Sequence, residues 1–164
     1  MPRLLLGLLA SALYLSCAHE PAGPPALATI DIVDVEGHTG TLAYALGSVV
    51  VLDICAASVD VCLINARAMS EVCESQCKDG EVELVTLLVD ETGVEAARSY
   101  LEIFEVKHRV YLPGPNARSG GSAIGSVMDV PRVLIFDREG RVVDDQVGAM
   151  LTPIPLVERI LELK

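Results

Sequence analysis

The chain has 164 residues, which is enough for one domain, and hydrophobic residues make up 51% of them. It carries 12 Lys and Arg residues against 23 Asp and Glu residues, which gives a formal net charge of −11. Phosphate backbones repel so acidic a surface, and a chain with two Phe and no Trp offers few stacking platforms, so the composition argues against nucleic-acid binding. The five cysteines are the feature of the composition that indicates a chemical function.

The N-terminus is typical of an exported protein. Arg3 precedes an apolar run from Leu4 to Leu15, which is shorter than the ~20 residues that a membrane-spanning helix needs. Cys17 follows a small residue and resembles the lipidated cysteine of a bacterial lipobox. We therefore expect residues 1–17 to be a signal peptide and Cys17 to attach the protein to the membrane, facing the periplasm. Cleavage after Ala18 is the alternative, and it would give a soluble periplasmic protein.

A tether and a hairpin come next. Residues 18–28 are rich in Pro and Ala and show no periodicity, as in a linker between a membrane and a domain. The domain itself is predicted to occupy residues 29–164. Its first strand is expected at Thr29–Val35, and a turn at Glu36-Gly37 leads into a second short element at Thr39–Leu46.

Strands and helices alternate through the rest of the chain. The pattern predicts buried strands at Ser48–Cys55 and Val82–Val89, helices at Asp60–Lys78, Val94–Val106 and Pro155–Leu163, a short strand at His108–Leu112, a loop at Pro113–Ser122 and a hairpin over Val130–Val147. This β-α-β-α-β-β-α order implies an α/β fold in which helices cover a mixed sheet.

Four cysteines lie within the predicted domain, at Cys55, Cys62, Cys73 and Cys77. In an exported protein they are expected to form disulfides rather than to bind a metal, and four cysteines allow three pairings. Cys73 and Cys77 are one helical turn apart and can pair if the last turn relaxes, whereas Cys62 and Cys73 lie ~16 Å apart along a helix. None of the three histidines has the spacing of a metal ligand, so the sequence predicts neither a metal site nor a cofactor.

Several segments carry motifs of a known family. Asp34-Val35-Glu36-Gly37 and the strand Gly47–Leu52 look like an N-terminal hairpin, and Met128–Gly140 looks like a valine–proline step followed by a strand and an acidic turn. Together with Gly148, these motifs resemble the TlpA-type branch of the thioredoxin-like proteins from Ile30 to the C-terminus. The resemblance implies a thioredoxin-like mixed central sheet flanked by helices, with an N-terminal β-hairpin extension.

The active-site motif of that family is altered in this chain. Asp53 matches the family's acid at a strand end, and Cys62 matches the second cysteine of the Cys-x-x-Cys pair, but Val59 stands in place of the nucleophilic first cysteine. Two sulfurs are needed because one attacks the substrate and the other resolves the mixed disulfide. Cys55 is the candidate substitute, since a turn can bring its Cα within the ~4.4–6.8 Å of Cys62 that a disulfide requires.

A redox-active pair gives each of these residues a role. Cys62, near a helix start, would be the attacking or resolving sulfur of a pair with Cys55, and Asp53 would exchange the proton. A purely structural disulfide is the alternative. The resemblance further implies a cis peptide bond at Val130-Pro131 that faces the helix start and offers the backbone of Val130 to an extended peptide.

Two other chemistries fit Cys62 poorly. A peroxidase of the peroxiredoxin type needs a Pro and a Thr upstream, where Cys55 and Val59 stand. A copper site of the Sco type needs a second thiolate, where Ser58 stands.

Two classes of function remain. The first is a thiol–disulfide oxidoreductase of the bacterial cell envelope, acting on exported proteins or peptides that bear thiols or disulfides. The second is a non-catalytic thioredoxin-like binding module whose disulfides are structural.

Overall fold

The computed structural model describes residues 23–89 and 93–164. The predicted signal peptide at residues 1–17, with its lipidation site Cys17, lies outside the described residues, as do residues 18–22 of the predicted tether. Within the described ranges, no helix combines the length and the apolar character that crossing a membrane requires.

A mixed sheet of seven strands forms the centre of the described part of the chain. The strands are β1 (Asp31–Val33), β2 (Thr39–Thr41), β3 (Val49–Cys55), β4 (Val82–Leu88), β5 (Arg109–Pro113), β6 (Arg132–Phe136) and β7 (Val142–Val147). They lie in the order β2-β1-β5-β4-β3-β6-β7. The three adjacent strands β3, β4 and β5 are parallel, and every other pairing is antiparallel. The mixed sheet and the N-terminal β1–β2 hairpin confirm the predicted fold class.

Helices cover this sheet. They are α1 (Asp60–Gln76), α2 (Gly93–Ile103), α3 (Pro115–Arg118) and α4 (Pro153–Leu163). On one face of β3, Val49 and Val51 share an apolar cluster with residues of α1 and α4. On the other face, Leu52 and Ile54 pack among residues of the loops and α3. Burial on both faces explains why β3 is a continuous apolar run, and the alternation of side chains turns Asp53 towards α1.

Some predicted boundaries are corrected. The first predicted strand, Thr29–Val35, is shorter because residues Ala26–Thr29 form a 3-10 turn ahead of β1. The second predicted element, Thr39–Leu46, divides into β2 and a 3-10 turn at Leu42–Ala45. The predicted loop Pro113–Ser122 contains α3, in which Pro115 occupies the first helical position, where its fixed backbone angle is favourable.

Candidate functional site

Cys55 and Cys62 form a disulfide that joins the end of β3 to the first turn of α1. Their Cα atoms are 5.4 Å apart, and both residues are fully buried. The backbone N–H of Ala56 donates a hydrogen bond to Cys62 Sγ at 3.3 Å. The other described pair is Cys73 and Cys77, with a Cα separation of 4.9 Å. Of the three pairings that the sequence allows, the structure therefore contains the one in which each cysteine pairs with the next in the sequence, Cys55 with Cys62 and Cys73 with Cys77.

Val59 is the N-cap residue of α1, at the position where the family's Cys-x-x-Cys motif has its first cysteine. Its side chain has no oxygen with which to cap the helix, and it packs partly buried against the apolar cluster behind the sheet. The cysteine in the first turn of α1 is therefore Cys62. The helix dipole favours a thiolate there, while the carboxylate of Asp60 in the same turn opposes it.

Asp53 lies two residues before Cys55 in β3, on the same face of the sheet, and is fully buried. Its Oδ1 accepts a hydrogen bond from Asn65 Nδ2 at 3.0 Å. Its Oδ2 has no hydrogen-bond partner among the described residues. Burial raises the pKa of Asp53 to about 7, and the hydrogen bond from Asn65 acts in the opposite direction. This carboxyl group is thus able to take up and release a proton near neutral pH.

Asn65 holds Asp53 in place and was not identified from the sequence. Its Nδ2 also donates to the carbonyl of Ala149 at 3.2 Å, and its Oδ1 accepts from the N–H of Leu151 at 2.8 Å. Because the loop after β7 fixes both ends of the amide, only its N–H groups face the carboxylate. The only signal in the sequence was a polar residue three positions after Cys62, on the buried face of the helix.

The predicted cis peptide bond at Val130-Pro131 is present. Continuing the antiparallel register of β3 and β6 by one residue places Pro131 opposite Cys55. Val130 is partly buried against the same apolar cluster as Val59. The backbone of Val130 has no hydrogen-bond partner in the described part of the chain. Strand pairing thus brings this proline to the end of β3 that carries the disulfide.

Solved structures resemble this arrangement, whereas no protein-family model and no curated protein matches the chain. The structure of dsbF from MTB superposes with a TM-score of 0.71 at 21% identity, covering 86% of this chain and 99% of that one. A thiol:disulfide interchange protein of the thioredoxin family from Chlorobium tepidum TLS gives 0.68 at 17% identity, over 87% and 98%.

A secreted Mycobacterium tuberculosis disulfide oxidoreductase homologous to E. coli DsbE gives a TM-score of 0.63 at 16% identity, over 82% of this chain and 96% of that one. The three similarities cover between 82% and 87% of this chain. They confirm the resemblance found in the sequence: the chain has the thioredoxin-like fold found in thiol:disulfide interchange proteins.

Proposed function

We propose that the protein is a thiol–disulfide oxidoreductase whose redox pair is Cys55 and Cys62. The observation that carries the proposal is the unpartnered Oδ2 of Asp53, a buried carboxyl group with a pKa of about 7 on the same sheet face as the disulfide. Unpartnered buried polar atoms are rare, and a functional role is one of their ordinary explanations. The names of the similar structures support the same chemistry.

The reaction follows from the positions of the groups. A substrate thiolate attacks Cys55 Sγ, a mixed disulfide forms, and the bond to Cys62 breaks. The departing Cys62 thiolate is stabilised by the N-terminus of α1 and takes the proton that Asp53 holds. A second substrate thiol then attacks the mixed disulfide, so the substrate leaves as a disulfide and the protein has gained two electrons. In the reverse direction Asp53 removes the proton from Cys62.

Access limits the rate of this reaction. Both cysteines are fully buried, so a substrate reaches the sulfurs only after neighbouring residues move, and the turn at residues 56–59, which connects β3 to α1, is the segment that we expect to move. Ser58 is exposed at the tip of this turn. We therefore expect slow exchange, with an extended peptide bound against Pro131 and hydrogen-bonded to the free backbone of Val130. The substrates would be exported proteins or peptides bearing thiols or disulfides.

Insulin reduction by dithiothreitol tests the proposal. The wild type should accelerate it slowly, and both Cys55→Ser and Cys62→Ser should reduce the rate to that of dithiothreitol alone. The matched control is the double variant Cys73→Ser/Cys77→Ser, which removes the other disulfide and should keep the wild-type rate. If the wild type also gives the rate of dithiothreitol alone, the oxidoreductase proposal is wrong.

A non-catalytic binding module is the second candidate function. It is favoured by Val59 in place of the attacking cysteine and by the burial of both sulfurs. A binding module would retain the surface around Pro131 while the Cys55–Cys62 disulfide served only to join β3 to α1. It is the function that a background rate of insulin reduction would indicate.

A further inference from the structure

The disulfide between Cys73 and Cys77 lies in a different environment from the first. It links the last turn of α1 to the residue that ends the helix. Both of its cysteines are partly exposed, whereas Cys55 and Cys62 are fully buried. A helix rises 1.5 Å per residue, so Cys73 lies about 16 Å along the axis from Cys62. The two pairs are therefore too far apart to exchange with each other in the folded protein.

A cleft of about 330 Å³ opens beside this second disulfide. Cys73 and Cys77 line it together with Lys107 and Arg109 at the start of β5. The guanidinium of Arg109 is paired with Glu83, at 3.2 Å between Nε and Oε2. Lys107 has no ion-pair partner within the described ranges, so it places beside the sulfurs a positive charge that no direct ion pair neutralises.

Besides Lys107, Arg109 and Glu83, one further titratable side chain lines the cleft, that of His108. Its Nε2 lies 2.8 Å from the hydroxyl of Thr86, and its Nδ1 lies 3.2 Å from that of Ser70. Burial lowers the pKa of His108 to about 4, so the imidazole is neutral at pH 7. At that pH the cleft therefore has a net positive charge in a chain whose formal net charge is −11.

The helix end does not depend on the sulfur–sulfur bond. The backbone N–H of Cys77 donates to the carbonyl of Cys73 at 3.1 Å, which closes the turn without the disulfide. Both side chains also pack against the apolar cluster that contains Val72 and Leu84. A crosslink across so few residues removes little freedom from the unfolded chain, because that effect grows with loop length. The bond is therefore able to open while the fold persists.

We propose that Cys73–Cys77 is a second redox site, which exchanges with small anionic thiols that enter the cleft beside Lys107. The thiolate attacks one of the two cysteine sulfurs, a new S–S bond forms, and the Cys73–Cys77 bond breaks. The other cysteine leaves as a thiolate beside Lys107 and takes a proton from water. A second thiol attacks the mixed disulfide and leaves with the first as their own disulfide, so two electrons pass to the protein.

The order of reduction tests accessibility. The oxidised protein is treated with 2-mercaptoethanesulfonate, quenched at intervals with an alkylating reagent and mapped by mass spectrometry. Cys73 and Cys77 should be labelled before Cys55 and Cys62. Labelling in the reverse order, or of all four at the same rate, would overturn the proposal.

Charge is tested with a matched pair of variants. Lys107→Gln should slow the reaction with 2-mercaptoethanesulfonate about fivefold and leave the reaction with cationic cysteamine no slower. Lys78→Gln makes the same charge change next to Cys77 in the chain but outside the cleft, and should have little effect on either reaction. Equal slowing by both variants, or by neither, would contradict a role for the cleft.

This site is independent of the proposed oxidoreductase pair. The double variant Cys55→Ser/Cys62→Ser should still be reduced and labelled at Cys73 and Cys77 at the wild-type rate. Loss of insulin reduction in that variant would thus leave the second site intact. Failure of the labelling experiments would conversely leave the first proposal untouched.

Discussion

At the scale of single residues, Asp53 contributes a buried carboxyl group to the candidate site. Two opposing effects set its pKa: burial, which raises it, and the hydrogen bond donated by Asn65, which lowers it. The backbone at Ala149 and Leu151 fixes the orientation of the Asn65 amide, so that its nitrogen, and not its oxygen, faces the Asp53 carboxylate. In the proposed reaction, Asn65 is therefore a positioning residue that acts through Asp53.

Asn65→Leu should raise the pKa of Asp53 above its value of about 7, because the variant removes the only hydrogen bond that the described residues donate to that carboxylate. The measurement is an NMR titration of the Asp53 carboxyl carbon in the disulfide-bonded protein. Asn116→Leu is the control, since Asn116 donates from an exposed position to the carbonyl of Thr29 and does not contact Asp53. An unchanged titration of Asp53 in the Asn65 variant would show that burial alone sets its pKa.

Asp53→Asn should change the dependence of stability on pH. The pKa of Asp53 is about 7 in the folded state against a reference of 3.8, so the folded protein binds the proton more tightly. The wild type therefore loses stability as the pH rises from about 4 to above 7, and the loss is on the order of 4 kcal/mol. The variant resembles the protonated form at every pH.

Urea denaturation at two pH values measures this effect. At pH 8 the Asp53→Asn variant should have the higher free energy of unfolding, and near pH 4 the difference should largely disappear. A difference of the same size at both pH values would mean that Asp53 does not bind a proton on folding.

Among the elements, β3 and α1 are joined by two successive connections. The disulfide links Cys55 to Cys62, and the Asp53–Asn65 hydrogen bond lies three helical residues further along. Both connect the end of a buried strand to the beginning of the helix that covers it. The second disulfide, in contrast, links two residues of the same helical turn.

The two disulfides should therefore differ in what they contribute to stability. Cys55→Ser/Cys62→Ser should lower the free energy of unfolding by about 2–5 kcal/mol, because the variant removes the crosslink between β3 and α1 and leaves two buried hydroxyl groups. Cys73→Ser/Cys77→Ser should cost about 1 kcal/mol, since its loop is shorter and both positions are partly exposed. Denaturation without reductant compares the two, and equal losses would contradict this difference in roles.

The sequence was sufficient for features that depend on local pattern. The apolar run of β3, the helical period of α1 and the valine–proline step predicted the elements that frame the site. Asn65 escaped prediction because its partners Ala149 and Leu151 are more than 80 residues away, and no local pattern reports such a contact. The complete burial of Cys55 and Cys62 could not be predicted either, because it depends on tertiary packing around the disulfide.

Over the whole molecule, charge is unevenly distributed. The formal charge of −11 should repel anionic molecules in general, yet Lys107 and Arg109 place positive charge beside the second disulfide. Screening by salt weakens such interactions at an exposed cleft. We therefore expect the preference for anionic over cationic thiols at Cys73–Cys77 to decrease as ionic strength rises.

Attachment to the membrane is the property that would determine which substrates the whole protein meets. The apolar run before Cys17 and the Pro- and Ala-rich residues 18–28 are the features from which we propose a lipid anchor followed by a tether. A single acyl chain gives only weak, reversible binding, so stable attachment requires the several chains of a bacterial lipoprotein.

Cys17→Ser should therefore move the protein from the membrane fraction to the soluble fraction. Cys73→Ser/Cys77→Ser, which changes cysteines only within the domain, should remain with the membrane. If Cys17→Ser leaves the membrane fraction unchanged, Cys17 is not the attachment site. If the wild type is soluble in the periplasm, cleavage after Ala18 is the correct alternative.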